Sequence, residues 1–356
     1  MLLVILGSLL AVAVTAFALV LLRIRGKFVP PANGVVKVQW KDRHAIPSLA
    51  SRIPLILAGA IFKKEGRMYP RLNSFPETHI EIGTSEMEEK HLATYYDVCG
   101  YKKPAKAEEM ILPPCYPVMS VFLFQPFLVS MPSFPVSPLG VVHIRTILTQ
   151  HRELKAGTKL SFQVNMKGHR DTERGMEVDF VIKASLETGE IVWNCLETML
   201  SRKRGGGSKK KPAATNEAAA EPKFDGSVQF AVAENTGKKY AAVTGDYNPH
   251  HTNKIGAKIF GFPKMIAHGQ WSLEKCLALL DEANVKARPP FRVDCHFKLP
   301  VYMPGKCLLR WNTTGAPTHD TVDFELRSGD GKLPHLAGQL QNLSAPGLLI
   351  TEPLTN

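Results

Sequence analysis

Asp246 and His251 stand close together in the run Gly245-Asp246-Tyr247-Asn248-Pro249-His250-His251, with His268-Gly269 downstream. A carboxylate and an imidazole brought together can share one water or one substrate proton, one acting as base and the other as acid. Gly245-Asp246 and Asn248-Pro249 are turn and breaker pairs, so both side chains are expected in a bent, non-helical segment after a short helix. Asn248 can hydrogen-bond locally and fix that bend. Gly269 opens an apolar stretch of helical character, where free backbone N–H groups and the positive dipole end can polarise a carbonyl and stabilise an enolate-like oxygen. Glycine there also allows close approach of a substrate. His268 is read as positional, and with Asn248 it is placed at the substrate. Taken alone, the first run would read as an Asx-type turn with a capping histidine. The downstream pair and an internal repeat turn it into a candidate site.

The repeat places this run in the second of two similar blocks. Tyr95-Tyr96-Asp97-Val98-Cys99-Gly100 matches Tyr240-Ala241-Ala242-Val243-Thr244-Gly245, and Pro114 falls opposite Pro263. An apolar helical stretch follows in each block, Met119 to Val129 and Gly269 to Leu280. Segments of period-two alternation come next, 141–145 and 160–164 against 291–297 and 307–311, and these predict half-buried strands. Gly157 and Gly305 are expected in the turns between them. Each block therefore reads as a helix followed by an antiparallel sheet, an α+β pattern, and two such blocks in one chain suggest a pseudo-dimer. In the first block Tyr101 falls opposite Asp246, Lys106 opposite His251 and Ser120 opposite Gly269. The pair is absent there, so that block is expected to be inactive.

The second block resembles the MaoC-like family, the R-specific or type 2 enoyl-CoA hydratases, whose signature is Gly-Asp-x-Asn-Pro-x-His with a downstream His-Gly. The match runs from Val228 to about Leu343, and the first block is a degenerate copy. His250 stands where the family usually has an apolar residue and is given no role. The resemblance implies a double hot dog fold and reversible syn addition of water to a trans-2-enoyl thioester, giving the R-3-hydroxyacyl product. Asp246 and His251 would hold the water, and the Gly269 N–H would bind the thioester carbonyl. It also implies that the degenerate half shapes the space for the acyl chain. Met119 to Phe134, rich in Phe and Met, is compatible with such a tunnel, although plain core is the commoner use of such a stretch. Acyl-CoA or an acyl-carrier-protein thioester is the expected partner, with no metal and no other cofactor. A thioesterase on the same fold and a non-catalytic acyl-binding module are the competing readings.

Leu2 to Leu22 carries no charge and is long enough, at about 20 residues, to cross a bilayer core. It exceeds a signal-peptide core and lacks a charged start, and so reads as a retained anchor. Arg23, Arg25 and Lys27 follow it, which predicts a single-pass protein with its catalytic part in the cytosol. The divisions expected are an anchor over 1–27, a tether with some local structure over 28–70, the degenerate unit over 71–202, a basic linker over 203–222 and the catalytic unit over 223–350.

The chain of 356 residues has 44% hydrophobic and 21% charged residues, which is ordinary globular usage and excludes a wholly disordered chain. Its net charge of +12 suits phosphate-bearing thioesters or an anionic membrane surface. No stripe of Arg with interleaved aromatics appears, so nucleic acid is not an expected partner. The six cysteines show no metal or disulfide spacing and are expected as buried thiols.

Overall fold

Alternation along Leu160-Ser161-Phe162-Gln163-Val164 puts Leu160, Phe162 and Val164 on one face, and in the computed structural model these side chains are buried while Ser161 and Gln163 are not. The structure describes residues 36–63, 66–67, 77–138, 140–203, 223–314 and 320–344. The anchor over 1–27 and nearly all of the linker lie outside them. No helix among the described residues is long and apolar enough to cross a membrane.

Among the described residues eleven strands form one sheet, with β1 (Val36–Trp40) at one edge, in the order β1-β2-β4-β5-β6-β3-β8-β11-β10-β9-β7. The first block supplies β2 (Thr78–Glu86), β3 (Val141–Gln150), β4 (Lys159–Thr172), β5 (Gly175–Ser185) and β6 (Ile191–Arg202). The second supplies β7 (Gly226–Val232), β8 (Phe291–Phe297), β9 (Gly305–Thr314), β10 (Thr321–Ser328) and β11 (Pro334–Asn342). Outward from the centre the halves read β3-β6-β5-β4-β2 and β8-β11-β10-β9-β7, the same order twice. They meet where β3 pairs antiparallel with β8, from Arg145 opposite His296 to Gln150 opposite Phe291. The bidentate Arg145–Asp294 ion pair crosses this seam at 2.7 and 3.1 Å.

Each half carries helices on the sheet. In the second, α8 (Gly269–Glu282) is enclosed almost all round: every residue from Gln270 to Leu280 except Lys275 is buried, the polar Gln270, Ser272 and Glu274 among them. In the first, the expected continuous helix over 119–129 is instead two short ones, α3 (Tyr116–Ser120) and α4 (Phe124–Ser130). Pro126 is the reason. It has no N–H for the carbonyl of Phe122 and its ring would clash there, so the helix restarts with Pro126 in its first turn. Ser120 consequently ends a helix, where Gly269 begins one. Met119, Phe122, Phe124, Phe127 and Phe134 all join the core.

Gly157 lies in the turn before β4 with φ 79, whereas Gly305 is the first residue of β9. Within the stretch read as a tether, β1 (Val36–Trp40) adds a parallel edge to β2, and α1 (Leu49–Phe62) packs on α4. All six cysteines are free and buried.

Candidate active site

The site begins at the end of α5 (Thr236–Thr244). Gly245 closes this helix in the left-handed region at φ 79, with its N–H on the Ala241 carbonyl at 2.8 Å. Gly100 does the same at φ 86 after α2 (Glu89–Cys99). Tyr101 and Asp246 are thus the next residues after equivalent turns. Beyond Asp246 the chain bends at Asn248, and Pro249 opens α6 (Pro249–Thr252), a first helical position that proline suits. His251 falls in its last residues. Gly237 keeps the two helices close, since a Cβ there would run into the His251 carbonyl oxygen.

Three side chains converge. Asp246, His251 and His268 each bring a ligand-type atom within 4.8 Å of the others, and all three are buried. One water giving two hydrogen bonds of roughly 2.8 Å at its tetrahedral angle spans about 4.6 Å, so a single water fits between such acceptors. The bond from His251 Nδ1–H to the Ile266 carbonyl, 2.8 Å, fixes the tautomer and leaves Nε2 with a free lone pair. Asn248 Nδ2 donates to Asp246 Oδ1 at 2.6 Å, which leaves Oδ2 as the open acceptor. Asn248, expected at the substrate, therefore holds the carboxylate.

His268 holds the same residue from the other side. Its Nε2–H donates to the Asp246 backbone carbonyl at 3.0 Å, and its ring stacks on His251 with centroids 3.7 Å apart. His250 lies against His251, Phe260 and Phe262.

Burial dominates the electrostatics. It raises the Asp246 carboxyl to about 6, against small lowering effects from His250 and Asn248. It lowers the His251 imidazole well below its usual value, helped by the neighbouring His268 and His250, and it takes His268 and His250 down to about 4. Near neutral pH the cluster is one carboxylate among neutral imidazoles.

Gly269 is the first residue of α8, so its N–H has no acceptor within the helix. A Cβ built on Gly269 would lie 3.4 Å from the Phe297 ring, an ordinary contact. The fold therefore does not require glycine there.

The first half supports the site in ways the sequence did not signal. Gln270 Nε2 donates to Glu197 Oε1 at 2.8 Å and to Thr146 Oγ1 at 3.1 Å. Trp271 donates to the Val98 carbonyl at 3.0 Å. The buried Glu274 carboxylate accepts from the Tyr101 hydroxyl at 2.6 Å, the Cys115 N–H at 2.9 Å and the Tyr95 hydroxyl at 3.3 Å. His91 reaches across to the Val243 carbonyl at 2.8 Å. A Cβ on Gly245 would meet Leu123 at 3.2 Å, which places Leu123, the residue before α4, against the turn that precedes Asp246. Lys106, opposite His251 in the repeat, is exposed.

Residues 215–325 match the MaoC like domain family. The chain is 28% identical over 277 residues to 3-hydroxyacyl-thioester dehydratase X of Mycobacterium tuberculosis, covering 77% of this chain and 92% of that protein. The crystal structure of HtdX from the same organism superposes with a TM-score of 0.60 at 24% identity, over 74% of this chain and all of that one. A MaoC-like dehydratase from Phytophthora capsici superposes at 0.58 with 18% identity, over 75% of this chain and 96% of its own.

Proposed function

We propose that this chain, which carries a MaoC-like dehydratase domain on a double hot dog fold, hydrates and dehydrates acyl thioesters through Asp246 and His251. The observation that carries this reading is the pair of free acceptors, Asp246 Oδ2 and His251 Nε2, buried together beside the N-terminus of α8.

Hydration would run as follows. A water donates its protons to Asp246 Oδ2 and His251 Nε2, and its lone pair faces C3 of a trans-2-enoyl thioester. As the C3–O bond forms, the C2–C3 double-bond electrons move to the thioester oxygen, and the pair takes one water proton. The Gly269 N–H stabilises that enolate oxygen. The pair then returns a proton to C2 on the same face, which gives the R-3-hydroxyacyl thioester and restores both side chains. Dehydration is the reverse. No step calls for a metal or redox group, and the thioester is carried by coenzyme A or an acyl carrier protein.

The two halves act in this reading as a pseudo-dimer with one working site, and the first half walls the acyl chain. The uncharged run 2–22, followed by Arg23, Arg25 and Lys27, supports a single membrane anchor with the catalytic part in the cytosol. Product analysis tests the reaction: incubation with a trans-2-enoyl-CoA should yield the R-3-hydroxyacyl-CoA with no free thiol. Release of free thiol would identify a thioesterase instead.

A further inference from the structure

Helix α1 differs from the other described helices in showing solvent an apolar face free of charge; Lys254–Ile259, which exposes Ile255 and Ile259, sets Lys254 and Lys258 beside them. Its outward residues are Ala50, Ile53, Pro54, Leu57 and Ile61, with Ser51 as the single polar member. Ile53, Leu57 and Ile61 are 47%, 41% and 57% exposed, and their spacing of four sets them in one stripe. The inner face is occupied: Ala58 and Gly59 are buried, Arg52 lies 4.3 Å over the Phe127 ring, and the helix packs on α4. No charged residue stands between Arg52 and Lys63.

A helix apolar all round belongs inside a protein or in lipid. At 14 residues α1 is about 21 Å long, too short for the roughly 30 Å of a bilayer core and of the length found in interfacial segments. The same chain supplies the argument for what covers it. The uncharged run 2–22 ends in a basic cluster a short stretch of chain before β1 and α1, so α1 stays near any bilayer that holds this run. Lys37 on β1 and Lys41 just past its end, both exposed, suit anionic headgroups.

We propose that α1 lies in the headgroup and acyl boundary of a membrane with the stripe Ile53, Leu57 and Ile61 in the lipid. This rests on the anchored reading above and adds a second contact to it. It sets α4 one layer behind the lipid, and Leu123, at the start of α4, lies against Gly245 in the turn before Asp246. The substrates such a placement serves are thioesters whose acyl chains partition into bilayers.

The test uses the full chain in vesicles of phosphatidylcholine and phosphatidylserine, with Ile53→Cys, Leu57→Cys, Ile61→Cys and the control Lys332→Cys labelled one at a time with a fluorophore. The native cysteines are buried, so label goes to the introduced thiol. Flotation reports anchoring independently. The result expected is flotation, with brominated lipid quenching the three α1 labels several-fold more than the control, and iodide quenching only the control. Flotation with iodide quenching of α1 overturns the docking and leaves the anchor standing. Flotation with neither quencher reaching α1 means protein covers it, either residues 2–22 or a second copy, and also overturns the docking. Failure to float with α1 in water overturns both.

Discussion

His251 and His268 lie ring on ring, 3.7 Å between centroids and 26° from parallel, and His268 also donates to the Asp246 backbone carbonyl. One residue thus touches both members of the proposed pair, and its proposed role is positioning with no proton transfer. His268→Phe keeps a ring against His251 and removes the bond to Asp246. A fall in kcat of about 10-fold is expected, with stability lowered by about 1 kcal/mol. A loss as large as that of Asp246→Asn would make His268 an acid or base instead. Steady-state kinetics beside a thermal melt decides it.

Asp246 should show in both rate and stability. With its carboxyl at about 6, kcat/KM is expected to fall as pH drops below about 6, and neutral His251 contributes no limb near neutrality. The stability effect has the opposite sense. The native carboxyl holds its proton up to about 6 and the unfolded one only to its ordinary 3.8, so ionised Asp246 costs stability above pH 6. Asp246→Asn should therefore be more stable than wild type at pH 7, by on the order of 2 kcal/mol. The gap should close as pH falls from about 6 to 4, as denaturant titrations at several pH values would show.

Gly269 admits two separable changes. Proline at the first position of a helix is tolerated, and His268 already has the extended backbone, ψ 140, that precedes proline. Gly269→Pro thus removes the N–H from the site, and kcat should fall about 100-fold or more. Gly269→Ala keeps the N–H and meets only the Phe297 ring, so its loss should appear mainly in KM for the thioester. Equal effects from the two would point to a structural defect.

Asp246, His251 and His268 could also hold a divalent ion. His268 argues for a different use, because its Nε2, 3.6 Å from Asp246 Oδ2, carries the proton given to the Asp246 backbone carbonyl. The His251 Nδ1–H bond to Ile266 leaves Nε2 free and by itself suits a ligand as well as a base. Dialysis against a chelator should leave turnover unchanged. A loss restored by one metal would replace the water-holding pair with a metal centre.

Much of the site is local and was therefore legible. Gly245 through His251 is one turn, one breaker and one short helix, each written in neighbouring residue types. The strand pattern and the two-block order were legible for the same reason, since period-two alternation is local. What supports the site is not. Glu274 and Gln270 look like unremarkable polar residues in the chain, and they matter only because Tyr101, Cys115, Thr146 and Glu197 arrive from the other half. The break between α3 and α4 was written in Pro126, but the apolar run around it resembles a continuous helix. β1 pairs parallel with β2 across a long separation, which no local pattern announces.

The most direct test of the central claim is the loss of conjugated enoyl-thioester absorbance by wild type, Asp246→Asn, His251→Ala and the double variant, across a series of acyl lengths. Each single change should lower kcat by about 1,000-fold or more, and the double variant should lose little further, as residues acting as one unit do. A wild type that binds acyl-CoA without turning over any length, or single variants that retain its rate, would contradict the account.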